Sequence, residues 1–156
     1  MNDDVTPPSL LEHTTYLMSR TGRAARTRLA KRLAERGLRL RHMAVLAALC
    51  DFGPHAQREL ASRLSIDRGD MVSLVDDLGA HGLLERARDT ADRRRMTVTV
   101  SPAGREVLEH LLAEASEIQE DVLAPLNARE RTQLARLLKR VHDHVQRGEA
   151  VRRAGR

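Results

Sequence analysis

A mainly α-helical fold carrying one small β-hairpin is predicted by three features of the sequence. Residues 57 to 80 hold two short helical periodicities separated by a tight turn: Leu60, Ala61 and Leu64 in the first, and Met71, Leu74, Val75 and Leu78 at i, i+3, i+4 and i+7 in the second. Residues 83 to 88 and 96 to 100 read as strands, with Met96, Val98 and Val100 alternating against Thr97 and Thr99 around the polar, basic tip DTADRRR. Long amphipathic stretches flank this block on both sides. Helix, turn, helix and a basic-tipped hairpin is the layout of a winged helix-turn-helix, here with long terminal dimerisation helices. Such a module lays one helix in the major groove of DNA and holds its wing over the backbone or minor groove.

Taken in order, residues 1–8 are polar, contain Pro7-Pro8 and read as a disordered lead-in. A long helix follows from Ser9 to about Glu35, with Leu10, Leu17 and Ala24 on one side and Leu11, Met18, Ala25, Leu29 and Leu33 in neighbouring rows; Gly37 ends it. Its arginines point all around the axis, which describes a solvated surface paired with acidic neighbours better than a DNA track. Leu40 to Phe52 is the most apolar helix, stopped by Gly53-Pro54, and Cys50 inside it reads as a buried, inert thiol. In the helix-turn-helix, Asp67 is placed to cap the second helix and Gly82 to stop it in a left-handed conformation.

After the hairpin, Ser101 caps a helix that opens with Pro102 and runs to about Leu123, apolar along one face and acidic along the other. Its glutamates can complement the arginine-rich first helix. Pro125 breaks the run, and Asn127 with Glu130 resembles a capping box for a last helix bearing Leu134, Leu137, Leu138, Val141 and Val145. Residues 148–156 read as a basic, disordered tail. The organisation expected is thus a helical dimerisation region from 9–36 and 102–147 around a DNA-binding region at 38–101. The terminal helices carry more apolar stripe than one copy can cover, so a two-fold homodimer is expected. Two copies would present their reading helices to successive major-groove faces of a pseudo-palindrome.

Composition narrows the partner. The chain of 156 residues carries 27 Lys plus Arg against 22 Asp plus Glu, a net charge of +5 that mildly favours a polyanion. Tyr16 and Phe52 are the only aromatic residues, too few to stack the bases of a single strand, so double-stranded DNA is the expected nucleic acid. No apolar run approaches a membrane span, the first residues do not form a signal peptide, and a lone cysteine fits a cytoplasmic protein. No Ser-His-Asp order, glycine-rich phosphate loop or paired-carboxylate pocket points to an enzyme, and neither cofactor nor resident metal is expected.

The stretch Asp92-Arg93-Arg94-Arg95-Met96-Thr97-Val98-Thr99-Val100-Ser101-Pro102-Ala103-Gly104 resembles the wing signature D-x-R-x-x-x-V-x-L-T-x-x-G of the MarR family of bacterial transcriptional regulators, with Val for Leu and Ser for Thr. ELASRLSID before the second helix, LVDDLGAHGLLER closing it, and six helices with a wing after the fourth extend the resemblance over about residues 9 to 147. It implies that Arg94 is the wing-tip arginine reaching the minor groove, with Asp92 orienting it. A guanidinium suits a narrow, electronegative groove. The DNA-binding set expected is Gln57, Arg68, Asp70, Ser73, Arg86, Arg88, Asp92, Arg93, Arg94 and Arg95. Where relatives often carry Arg, positions 73 and 77 are Ser73 and Asp77, and Asp70 adds a further negative group. Either Asp70 accepts from cytosine N4, or the helix sits shallowly and the wing arginines supply most of the affinity.

The resemblance further implies a repressor relieved by a small aromatic or anionic effector bound between the DNA-binding and dimer regions. His13, Tyr16, Arg20, His42 and Met43 are the residues that region offers. Two other readings are a winged-helix protein-interaction adaptor, its acidic helix facing a protein, and a metal-responsive regulator using His42, Glu106, His110 and Glu114.

Overall fold

A computed structural model describes residues 6–154. By its internal contacts the chain divides between Ile118 and Gln119 into two compact units.

The first unit opens with a short helix α1 (Pro8–Leu11) and then α2 (Thr14–Ala34). The single helix expected from Ser9 is therefore interrupted. His13 is extended, at φ −92° and ψ 110°, and the chain restarts at Thr14-Thr15, whose β-branched side chains lose rotamer freedom in a helix. Helical structure also begins at Pro8, inside the expected lead-in; residues 1–5 lie outside the described part of the chain.

Next come α3 (Leu40–Phe52), α4 (Gln57–Leu64) and α5 (Arg68–Ala80). All four residues of the stripe on α5, Met71, Leu74, Val75 and Leu78, are at most 2% exposed. They meet Leu33 of α2, Val45, Leu46 and Leu49 of α3, Leu60 of α4 and Leu111 further on in one cluster. Each such side chain contributes about 1.5–3 kcal/mol by leaving water. Between α4 and α5, Ser65 takes a left-handed conformation at φ 52°, and Ile66 N–H donates back to Ala61 O at 2.9 Å, closing the tight turn. Cys50 is half-buried, not buried as expected: it lies at the edge of the core with Arg105 Nη1 3.9 Å from its sulfur.

The hairpin pairs β1 (Leu84–Arg88) with β2 (Met96–Val100), antiparallel, from Leu84 opposite Val100 to Arg88 opposite Met96. The expected alternation holds only for Val98 and Val100. Met96 is 53% exposed, while Thr97 is buried with its Oγ1 donating to Ala87 O at 3.4 Å. Met96 pairs with the last residue of β1, where the ladder has left the body of the domain; further in, His55 bridges to Val98 and covers the strand's other edge.

Helix α6 (Pro102–Val122) starts from a tight junction. Ser101 Oγ accepts the Gly104 N–H at 3.0 Å, as a cap should, and donates to Gly82 O at 2.6 Å. Gly82, at φ +69°, ends α5: its N–H reaches Gly79 O and that of Leu83 reaches Leu78 O, both 2.9 Å. The close approach requires Gly104, because a Cβ there would sit 2.1 Å from Leu83 O. Farther along, Glu114 takes two hydrogen bonds from Arg36, at 2.6 and 3.2 Å, one realised instance of the expected complementarity between the basic and acidic helices.

The second unit holds the end of α6 and α7 (Ala128–Ala154). The capping box is present in both directions: Asn127 N–H to Glu130 Oε2 at 2.9 Å and Glu130 N–H to Asn127 Oδ1 at 3.1 Å. The disordered tail expected at 148–156 is corrected to helix as far as Ala154. Glu149, Ala150, Arg152 and Ala154 favour helix, and one glycine costs only about 1 kcal/mol. Along α7, Leu137, Leu138, Val141 and Val145 remain 38–48% exposed. No helix among the described residues is long and apolar enough to cross a membrane.

Candidate nucleic-acid interface

Helix α5 is started by Asp67, whose Oδ1 accepts the Gly69 N–H at 2.7 Å. With its apolar stripe buried, it turns Arg68, Gly69, Asp70, Ser73, Asp76 and Ala80 outward, all exposed. Ser73 is occupied by its own helix, donating to Gly69 O at 3.4 Å. The helix's carboxylates are also partnered, each by a cation from another element. Asp70 Oδ2 lies 2.6 Å from Arg41 Nη1 at the start of α3, and Asp76 Oδ1 lies 2.5 Å from Arg86 Nη2 on β1. Asp77 Oδ2 receives Arg39 Nη2 at 3.1 Å and faces His42 Nε2 at 3.3 Å.

The wing tip is organised by two aspartates. Asp89 Oδ1 accepts the N–H groups of Ala91 and Asp92 at 2.8 and 3.2 Å, and these bonds, more than nearby Arg95, hold its carboxyl below the ordinary aspartate range. Asp92 Oδ1 accepts the Arg94 N–H at 3.0 Å, so it orients Arg94 through the backbone and not through the guanidinium. Arg88 donates to Arg93 O at 3.1 Å. Arg95 turns back to pair with Glu59 on α4 and, at 3.8 Å, with Asp89. The guanidiniums of Arg93 and Arg94 are exposed and, among the described residues, make no hydrogen bond or ion pair.

The predicted DNA-binding residues therefore fall into separate circumstances. Arg88, Asp92, Arg93, Arg94 and Arg95 gather at the wing tip. Arg68 and the half-buried Gln57 line one shallow depression between α4 and α5, together with Arg58 and Val72. Asp70 and Arg86 are each held in an ion pair. Arg41 beside Asp70, Arg58 in that depression and Asp89 at the wing tip lie next to these residues and were not singled out from the sequence; nothing in their local spacing distinguishes them from solvated charges.

The effector set is less coherent. His13 and Arg20 are exposed, Tyr16 is half-buried, and Met43 packs against the core. His42 is 1% exposed, with Nδ1 accepting the Arg39 N–H at 3.0 Å. Its proton is thereby assigned to Nε2, facing Asp77. Burial is the largest influence on the imidazole and lowers its pKa below 6.5; the hydrogen bond to Asp77 opposes this, and Arg39 and His81 reinforce it. Among the described residues no hydrogen bond or ion pair ties His13, Tyr16 or Arg20 to His42 or Met43. The metal set is not assembled either. Glu114 is paired with Arg36, His110 Nδ1 faces its own helix at Glu106 O, and no cluster of three His, Cys, Asp or Glu capable of holding a metal occurs among the described residues.

Comparison with known proteins places this arrangement. The model of the MarR family matches residues 36–95, which run from the turn before α3 to the wing tip. The transcriptional repressor NicR of Pseudomonas putida is 33% identical over 98 residues, covering 63% of this chain and 62% of that protein. The chain thus spans less than two thirds of that relative's length. The crystal structure of a probable transcriptional regulator from Pseudomonas aeruginosa is similar at 32% identity, with a TM-score of 0.68 over 85% of this chain and 98% of that one. BpsR of Bordetella bronchiseptica, whose DNA binding is regulated by 6-hydroxynicotinic acid, is 27% identical, with a TM-score of 0.69 over 88% of this chain and 99% of its own.

Proposed function

This chain belongs to the MarR family, and from that premise we propose that it is a homodimeric transcriptional repressor that binds a pseudo-palindromic DNA operator and releases it when a small aromatic or anionic effector binds. The observation that carries the proposal is the pair of exposed wing-tip guanidiniums, Arg93 and Arg94, which make no hydrogen bond or ion pair among the described residues, on a hairpin whose Arg86 and Arg95 pair with Asp76 and Glu59 of the helix-turn-helix. Exposed cations at a hairpin tip, without a hydrogen bond or ion pair among the described residues, match a polyanion, since each phosphate neutralised releases counterions. The exposed apolar stripe of α7 supports a second copy, because isolated leucine and valine rows on a helix are association surfaces. BpsR supports an effector in the same chemical class as a hydroxylated aromatic acid.

The test is a gel shift of the full chain on the duplex upstream of its own gene, followed by titration with aromatic acids. Binding that weakens with salt and is relieved by one of these acids is the expected result. Indifference to every duplex at low ionic strength would overturn the reading and leave the protein-adaptor alternative.

A further inference from the structure

Three carboxylates on a helix that approaches a phosphate backbone ought to repel it, and their partners divide them into two kinds. Asp77 holds the exposed Arg39 but also faces the buried His42, and so ties α5 to the start of α3. Asp70 and Asp76 instead face outward, with their side chains 56% and 58% exposed, and each holds an arginine that is itself more than half exposed: Arg41 at 61% and Arg86 at 55%. Exposed ion pairs of this kind stabilise a fold by little, about 0–1 kcal/mol, so stability does not account for two of them on one helix. They do position charge. α5 has no arginine of its own after Arg68, its outermost positions being Gly69, Ser73, Asp76 and Ala80. The two pairs bring in guanidiniums from α3 on one flank and from β1 on the other.

We propose that Asp70 and Asp76 are positioning residues whose role is to hold Arg41 and Arg86 beside the reading helix, where those two borrowed arginines contact DNA phosphates on either side of the groove. A guanidinium has five donors in a planar fork, so one edge can stay on a carboxylate while the other meets a phosphate oxygen. The inference rests on the DNA-binding reading and adds to it: Arg41 joins the interface, and Asp70 serves an arginine, not a base.

The experiment measures binding of the full chain to a mixed-sequence duplex and to the duplex upstream of its gene, by fluorescence anisotropy over a range of salt. Arg41→Ala and Arg86→Ala are expected to weaken binding to both duplexes and to lower the salt slope by about one phosphate contact per protomer. Asp70→Asn and Asp76→Asn are expected to weaken binding by roughly threefold or more, although each removes a negative charge. In the doubles Arg41→Ala/Asp70→Asn and Arg86→Ala/Asp76→Asn the asparagine adds no further loss. All four sites are exposed, and thermal melts of the variants should match the parent's. Tighter binding by the asparagine variants would mean that the carboxylates only repel DNA, and would overturn the inference. Loss confined to the upstream duplex for Asp70→Asn would assign it to base reading and overturn it equally, as would unchanged affinity and slope in the alanine variants. If the unsubstituted protein binds neither duplex, the DNA-binding reading falls first, a result distinct from any of these.

Discussion

The imidazole of His42 and the carboxyl of Asp77 face each other across 3.3 Å, the histidine 1% exposed at the start of α3 and the aspartate on α5. The histidine therefore links the entry of one core helix to the far half of α5, and it does so neutral: Nδ1 accepts a backbone N–H and cannot also carry a proton.

Acid should loosen this link. Burial is the main cause of the lowered His42 pKa, with Asp77 opposing and Arg39 and His81 adding to it, so the unfolded chain binds the proton more readily than the folded one. The contribution of His42 is complete above the ordinary value of 6.5, declines as pH falls through 6.5 toward the depressed folded value, and is constant below that. Thermal melts across this window should show the decline in the parent protein. In His42→Asn, whose Oδ1 can still accept the Arg39 N–H, the decline should be missing; an identical pH profile would remove His42 as its source.

Gly104 should be nearly irreplaceable. Gly104→Ala places a Cβ 2.1 Å from the carbonyl oxygen of Leu83 and 2.8 Å from Val100 Cγ2, so α6 must shift off the hairpin, at a cost of about 1–3 kcal/mol. Gly79→Ala is the control. Nothing lies within 4 Å of its Cβ, and alanine is favoured in a helix by up to about 1 kcal/mol, so it should stabilise. Urea unfolding of the two variants decides the matter.

The wing arginines should separate by phenotype. Arg94→Ala removes an exposed guanidinium that makes no hydrogen bond or ion pair among the described residues, so binding to all duplexes should weaken by on the order of tenfold with no change in melting temperature. Arg95→Ala removes the pair to Glu59 and the contact to Asp89, both partly exposed, and should lower stability by no more than about 1 kcal/mol. If Arg94→Ala binds as tightly as the parent, the wing does not carry the affinity.

Self-association should depend on α7. Val141 is 47% exposed and Leu138 38% exposed on a helix with no buried residue among those described. Replacing either by glutamate places a charge in a face that a second copy would bury, which is strongly unfavourable. Light scattering should show the particle mass halved, and DNA affinity should drop with the loss of paired half-sites.

Local chemistry was readable along the chain. The stripe Met71, Leu74, Val75, Leu78 is buried because a 3.6-residue period has only one inward face, and Asp67, Ser101 and the Asn127–Glu130 box cap their helices because each acts within three residues of itself. Basic character at the wing tip was equally plain, as was the place of Gly104 in a recognisable motif. Only the tertiary structure decided which partner each charge takes. Asp70, Asp76 and Asp77 look like three repulsive groups on the helix expected to read DNA until Arg41, Arg86, Arg39 and His42 arrive from 10 to 38 residues away in sequence. That His42 is buried with its Nδ1 on the Arg39 N–H, and that Thr97 is covered where Met96 is bare, were likewise decided by the tertiary structure. The physical reason is range: torsional preference, capping and periodicity act over a few residues, whereas burial and ion pairing depend on where separate elements come to rest, and no local pattern records that.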